Sequence, residues 1–195
     1  MDPKRYGVEN SELTLGPRSG SNALKQKLSH MKIAFDGISF PKIFKNFKKL
    51  ADARKRIEDA DIVLAADDKK KVPAHYTLMS YHPLSTMETY RSIVKVGVGK
   101  KSVLQEGEGN GQIDAGVNAI KMTVPYNFEV DEKGFSVVSM GKGSAAQGSA
   151  EIILRHKGWC VRGRGTDNDV VTSALKATID GCNRLHYINT YFCKK

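Results

Sequence analysis

Two hydrophobic rhythms divide the 195-residue chain. Up to about residue 70, apolar positions recur at helical spacing. Pro17 and Gly20 break the chain, Ser19 or Ser21 is placed to cap, and Ala23, Leu24, Leu28 and Met31 then fall on one helix face. In FPKIFKNFKKLADARKRI, the residues Ile43, Phe44, Phe47, Leu50 and Ala51 form a single stripe, with Pro41 in a first-turn position. EDADIVLAADD predicts a third, short helix, and SELTLG a short extended piece ahead of all three. DDKKKVPAH then reads as a polar linker whose Pro73 marks a boundary.

Beyond residue 75 the rhythm becomes β-branched runs separated by turns. HYTLMSYHPL, METYRSIVKVGV and KKSVLQEGEG predict three strands, followed by a helix from about Ile113 to Thr123. The same order returns in GFSVVSMGKG, GSAAQGSAEIILRHKG and WCVRGRG, followed by the helix DVVTSALKATIDGCNRLHYI. In that helix Val170, Val171, Ala174, Leu175, Thr178, Ile179 and Cys182 share one side. EGEGNGQIDAGVNAI and RGRGTDNDVVTSALKAT align as a Gly-x-Gly, an aspartate and a helix start, so the chain carries an internal duplication of a βββα unit. The expected fold is α+β, with a helical subdomain over residues 1–72 and a domain of two βββα repeats over 73–195, at about 76–125 and 128–188.

Composition and charge change this picture little. Hydrophobic residues make up 40% of the chain, enough for a core, and no apolar run approaches the roughly 20 residues that span a bilayer. The polar start MDPKRYGVENSE is unlike a signal peptide, so a cytoplasmic location is expected. The net charge of +10 is spread over both parts, with 16 Lys and Arg against 10 Asp and Glu in residues 1–72 and 15 against 11 in 73–195. In the densest stretch carboxylates alternate with lysines, as on a solvated helix face, and no nucleic-acid motif is present. Neither nucleic acid nor membrane is an expected partner. Cys160, Cys182 and Cys193 are odd in number and lack paired spacing, which disfavours a disulfide framework or a zinc site. His30, His75, His82, His156 and His186 stand singly, as surface or structural histidines do.

The glycines of QEGEGNGQIDAGVNAI pose the chemical question. A glycine-rich turn feeding a helix offers free N–H groups and a dipole suited to phosphate, sulfate or carboxylate. The Walker pattern GxxxxGK[ST] is absent, and the βββα context does not match a dinucleotide βαβ unit.

At this point the residues resemble a known family. ELTLGPRSGSNALKQKL followed by FKKLADARKRIEDADI resembles the linker of the α-isopropylmalate, citramalate and homocitrate synthases. Residues 76–188 resemble the C-terminal regulatory domain of that group. Its hallmark of glycine, any residue, glycine, proline, aliphatic and Asp-Ala is matched by GNGQIDA, except that Gln112 replaces the proline. The resemblance implies a dimerising domain that binds an end-product amino acid, leucine or isoleucine, and inhibits a catalytic barrel. That barrel would be an acyltransferase condensing acetyl-CoA with a 2-oxo acid, with the acetyl-CoA and a divalent metal held there. Nothing in this chain supplies such a barrel, so no catalytic residue, metal ligand or cofactor is assigned to it and no synthase activity is expected from it alone.

The family's pocket, carried over position by position, implies Gly109, Gly111, Ile113 and Asp114 from the first repeat and Phe135, Ser139, Ala146, Gly148 and Thr166 from the second. In that reading the main chain after Gly109 and Gly111 receives the ligand carboxylate. Asp114 either accepts from the ammonium or caps the helix. Phe135 and Ile113 form an apolar wall, or Phe135 is ordinary core, and MGKGSAAQGSA is either a site of close approach or a flexible loop. Two other readings compete: a dimerisation scaffold without a working pocket, and a basic protein binding nucleic acid through the helix at 41–56.

Overall fold

The computed structural model describes residues 15–53, 57–68, 71–84, 86, 88–131, 134–140 and 147–193. The chain is α+β and falls into two compact parts, Met1–Lys70 and Lys71–Lys195. SELTLG lies outside the described residues except for Leu15 and Gly16.

The first part holds helices α1 (Ser21–His30), α2 (Phe40–Ala53) and α3 (Asp59–Ala66). Leu24, Leu28 and Met31 are buried as the α1 spacing predicts. The α2 stripe buries Phe40, Ile43, Phe47 and Ala51, while Phe44 and Leu50 are half-buried at its margin. Helix α3 opens on a reciprocal capping box between Glu58 and Asp61, and a Lys27–Asp59 ion pair at 2.9 Å ties it to α1.

The second part begins with strands β1 (Tyr76–Pro83), β2 (Tyr90–Val98) and β3 (Lys101–Gly109), an antiparallel sheet in sequence order, followed by α4 (Gln112–Thr123). Alternation sorts its faces. Ser92, Val94 and Val96 are fully buried beneath α4, whereas Arg91 sits on the outer face, paired with Glu106 and Glu108. The second repeat contains β4 (Glu129–Val130), β5 (Ser136–Met140), β6 (Gln147–His156), β7 (Trp159–Asp167) and α5 (Val170–Cys193). β7 covers one edge of β6. The other edge is shared by β5, opposite Gln147–Glu151, and β4, opposite Leu154 and Arg155. The expected first strand of this repeat, GFSVVSMGKG, is β5, and β4 is an additional short strand ahead of it that the sequence pattern does not predict, set off by a break. The break is a turn closed from Gly134 N–H to Asp131 C=O at 2.9 Å. It needs glycine at 134, because a Cβ there would lie 2.5 Å from the Ile153 side chain.

Each helix docks on its sheet through glycine. A Cβ on Gly107 would lie 2.2 Å from the Ala115 carbonyl oxygen of α4, and one on Gly109 2.5 Å from the Ala115 nitrogen. In the second repeat a Cβ on Gly163 would stand 1.9 Å from the Ala177 carbonyl oxygen, and one on Gly165 2.2 Å from that of Ser173. The facing helix positions are small as well, Ala115 and Ala119 in α4 and Ser173, Ala177 and Gly181 in α5. The helix backbone thus rests on the strand backbone in both copies. Between the repeats, α4 meets α5 where Gly116 accommodates the side chain of Leu175.

Helix α5 departs from the one-sided stripe the sequence predicts. Ser173–Leu175, Ala177–Ile179 and Gly181–Leu185 are all buried, because α5 packs on β6 and β7 and also meets α4 and β1. Its junction with β1 is polar. The Asn183 amide accepts from His75 N–H and Tyr76 N–H at 2.8 and 2.7 Å and donates to Tyr76 C=O at 3.0 Å. The His75 and His186 rings stack at 3.9 Å, and the Tyr126 hydroxyl donates to the Cys182 carbonyl at 2.7 Å. Burial raises the Tyr126 phenol and the Cys182 thiol well above their usual ranges, so both stay protonated and structural. His156 contacts the Asn127 carbonyl, and His30 and His82 are exposed.

Two expectations follow from this packing. Gly163→Ala forces a methyl into helix backbone and should destabilise the protein by about 1–3 kcal/mol. Gly97→Ala, on the outer face with only ordinary contacts to Met79 and Thr77, should stay within about 0.5 kcal/mol of wild type. Urea midpoints at unchanged m-value measure the difference. Burial, and then the charge of His75, hold His186 below its ordinary value of 6.5. The native state therefore binds fewer protons, and stability present above the unfolded value is lost as pH falls through it toward the folded pKa. The midpoint should drop as pH falls from about 7.5 through the ordinary imidazole value and below it, and His186→Gln should flatten that drop.

Candidate functional site

A cleft of about 530 Å³ opens beside the start of α4. One wall is the first turns of that helix, Gly111, Gln112, Ile113, Asp114 and Val117. The opposite wall comes from the second repeat: Val130 of β4, Phe135 at the entry to β5, Ile152 of β6 and Val171 of α5. Six of these nine side chains are aliphatic or aromatic, and Asp114 is the one ionisable group among them.

The two helix starts differ, although they derive from aligned sequence. At α5, Asp169 precedes the first turn, and its carboxylate accepts from the Thr172 N–H and the Thr172 hydroxyl, both at 2.7 Å. Asp167 is engaged too, accepting from Asp169 N–H at 3.1 Å and from Lys176 at 2.5 Å. The Lys176 bond leads the contacts that hold its carboxyl below the usual range. This helix end is satisfied by its own side chains. At α4 the capping residue is Gly111, extended and without a side-chain cap. Asp114, in the first turn, reaches back to accept from Asn110 N–H at 2.9 Å through one carboxylate oxygen. It is therefore not the N-cap, the simpler of its two sequence readings. The first-turn amides of α4 receive no capping side chain from Gly111, and they lie at an apolar cleft beside one carboxylate.

Of the residues implied by sequence, the structure brings Gly111, Ile113, Asp114 and Phe135 to the cleft. Gly109 is close by, but the space over its Cα is filled by Asp114 and Ala115, so its openness serves helix docking. Gly148 packs beneath the start of α5, where an added Cβ would meet the Ser173 hydroxyl at 3.3 Å. Ser139 stands opposite Gly148 in the β5–β6 ladder. Thr166 is exposed, opposite Ser149 and on the other face of the sheet from Ile152. Ala146 and most of MGKGSAAQGSA lie outside the described residues. Val117, Val130, Ile152 and Val171 escaped sequence reasoning because a cleft-lining aliphatic carries the same signal as a core one. Gln112 stood out only as the departure from proline. Among the described residues no group of three or more His, Cys, Asp or Glu side chains is placed to hold a metal ion, and no helix is long and apolar enough to cross a membrane.

Comparison with known proteins accords with this architecture. The model of the LeuA allosteric (dimerisation) domain matches residues 56–186, and that of the homocitrate synthase post-HMGL domain-like family matches residues 1–55. Similar full-length proteins include the 2-isopropylmalate synthases of Nitrosomonas europaea, 34% identical over 189 residues, Paraburkholderia phymatum, 35% over 192, and Methylorubrum populi, 31% over 188. Each alignment takes in 95% of this chain and 36–37% of the relative, so the chain spans little more than a third of the length of the curated relatives it matches. With its duplicated βββα fold and the matching model over most of its length, the chain belongs to the LeuA allosteric (dimerisation) domain family.

Proposed function

We propose that this chain is the regulatory region of a 2-isopropylmalate synthase, and that the α4 cleft binds leucine as the feedback inhibitor. The observation that carries the reading is the pairing of an uncapped helix N-terminus with an apolar cleft and a single carboxylate. A branched-chain amino acid asks for those three things: amide donors for its carboxylate, an acceptor for its ammonium, and an aliphatic pocket. In this arrangement the first-turn amides of α4 take the carboxylate and Asp114 takes the ammonium. Ile113, Val117, Phe135 and Ile152 surround the side chain. The cleft volume falls in the range of about 300–1,000 Å³ usual for small-molecule sites.

The same reading supplies a route to regulation. The cleft is built from both repeats, so a ligand there bridges them and favours whichever arrangement of the two it fits better. In the parent enzyme that preference reaches a separate catalytic barrel, where a divalent metal and acetyl-CoA belong and the 2-oxo acid is condensed. The domain also joins two copies as a homodimer. An isoleucine-preferring cleft would instead mark a citramalate-type enzyme, which makes isoleucine the informative competitor.

Calorimetric titration of the folded chain with leucine should show saturable binding, and leucine at 100 times its Kd should stabilise the protein by about 2.7 kcal/mol. Asp114→Asn keeps an acceptor for Asn110 N–H but removes the charge, and should weaken leucine about ten-fold or more. Ile113→Ala should cost roughly ten-fold through lost apolar contact. If neither leucine nor isoleucine produces heat or a melting shift at millimolar concentration, the cleft is not an effector site and the scaffold reading takes its place.

A further inference from the structure

The two sheets leave strand edges at β1, at β7, along the side shared by β4 and β5, and at β3. An open edge is a template for another chain, and folded proteins ordinarily blunt it. β1 slips register between Leu78 and Ser80, and at its start Asn183 takes up the N–H and C=O of Tyr76. The β4–β5 side is broken between its two short strands. Along β7, the Asp180 carboxylate of α5 accepts from Arg164 N–H at 3.0 Å, and Arg162 and Arg164 set two like charges on one strand.

β3 is different. It runs from Lys101 to Gly109 in unbroken register with β2 and pairs with no other strand among the described residues. Arg91 C=O accepts from Leu84 N–H at 2.8 Å, so the Arg91 main chain faces β1. Its β3 partner Glu108 therefore turns its own main chain outward, and by alternation so do Glu106, Leu104 and Ser102. The Asn118 amide covers Glu108 C=O at 2.8 Å. The outward N–H and C=O groups of Ser102, Leu104 and Glu106 have no hydrogen-bond partner among the described residues. The Leu104 side chain, on the sheet face away from α4, is 61% exposed.

The charges along this edge are polarised. Lys100 and Lys101 stand at its start and Glu106 and Glu108 at its end, where Arg91 pairs with both glutamates at 3.3 and 3.4 Å. An antiparallel copy of β3, with Leu104 facing itself on a two-fold axis, sets Ser102 against Glu106 and brings Lys100 beside Glu108. In that register the outward groups from Ser102 to Glu106 all find partners, the two leucines cover each other, and unlike charges meet at both ends. The same operation on β7 sets arginine against arginine.

We propose that β3 is the seam through which two copies of this chain join, antiparallel about a two-fold axis at Leu104, into one continuous sheet. This rests on the domain's joining two copies, as the proposed function has it. β3 runs through Gly109 and Asn110 directly into Gly111 of the cleft wall, so the seam and the effector site share one stretch of chain.

Sedimentation of the full chain over a concentration series, with circular dichroism as the check on folding, tests the seam. Leu104→Lys sets two ammonium groups against each other on the axis and should raise the dimer dissociation constant about 100-fold or more. Lys100→Glu and Glu108→Lys should each raise it about ten-fold, and the two together should bring it back to within about three-fold of wild type. A wild-type dimer with Leu104→Lys dimerising as tightly overturns the seam and leaves the homodimer reading intact. Should Leu104→Lys fail to fold, the exposed charge pair decides, and a double exchange no tighter than either single variant overturns the seam. Wild type that sediments as a monomer at every concentration removes the seam and the homodimer reading together.

Discussion

Backbone-to-backbone contact between a glycine strand and a small-residue helix is the constraint on which the second part of the molecule depends. Gly107 and Gly109 in one repeat, and Gly163 and Gly165 in the other, let α4 and α5 settle onto their sheets at distances a Cβ would forbid. The alternation of strands places two such glycines on one face, and the spacing of Ala115 with Ala119, and of Ser173 with Ala177 and Gly181, presents a matching smooth ridge. Nothing about this contact is adjustable by a rotamer. It sets where each helix begins, and the cleft exists at the start of α4 because that helix is held where it is.

Duplication then makes the difference between the repeats informative. The same framework yields one helix start closed by Asp169 and Thr172 and another opened by Gly111. A carboxylate cap and an incoming anion compete for the same amides. One of two nearly equivalent helix starts is thus closed by its own side chains, while the other has no side-chain cap and lies at the cleft. Asp114 does not close the second end, since its carboxylate accepts back from Asn110 N–H beside the cleft.

Much of this was legible in the sequence, for identifiable reasons. The α1 and α2 stripes are locally periodic, and both triple-strand repeats are bounded by turn residues, so Leu24, Leu28, Ile43 and Phe47 are buried as their spacing implies. The interruption between β4 and β5 was not, because the need for Gly134 comes from Ile153 on another strand. The long-range surroundings of α5 hid its all-round burial in the same way. Gly111, Ile113, Asp114 and Phe135, which the family resemblance implies, are residues that line the cleft. The aliphatic wall is not legible in this way, since Val130 and Val171 are chemically indistinguishable from core residues until the fold places them. Gly109 illustrates the sharper difficulty: a glycine that admits a ligand and one that admits a helix look alike in one dimension.

The distribution of rigid and compliant contacts bears on how a bound effector can act at a distance. Within each repeat, helix and sheet meet through main-chain atoms, and packed interiors of that kind do not deform continuously. Between the repeats, α4 and α5 meet where the Leu175 side chain lies against Gly116, and a leucine can change rotamer where a carbonyl oxygen cannot move aside. Under the proposed reading, strain from a ligand spanning Ile113 and Phe135 would relax at the joint between the repeats before it shifted either helix on its own sheet. A displacement of one repeat against the other about that joint is the form of motion that an interface with a second copy or a neighbouring domain would register, were the proposed effector to favour it.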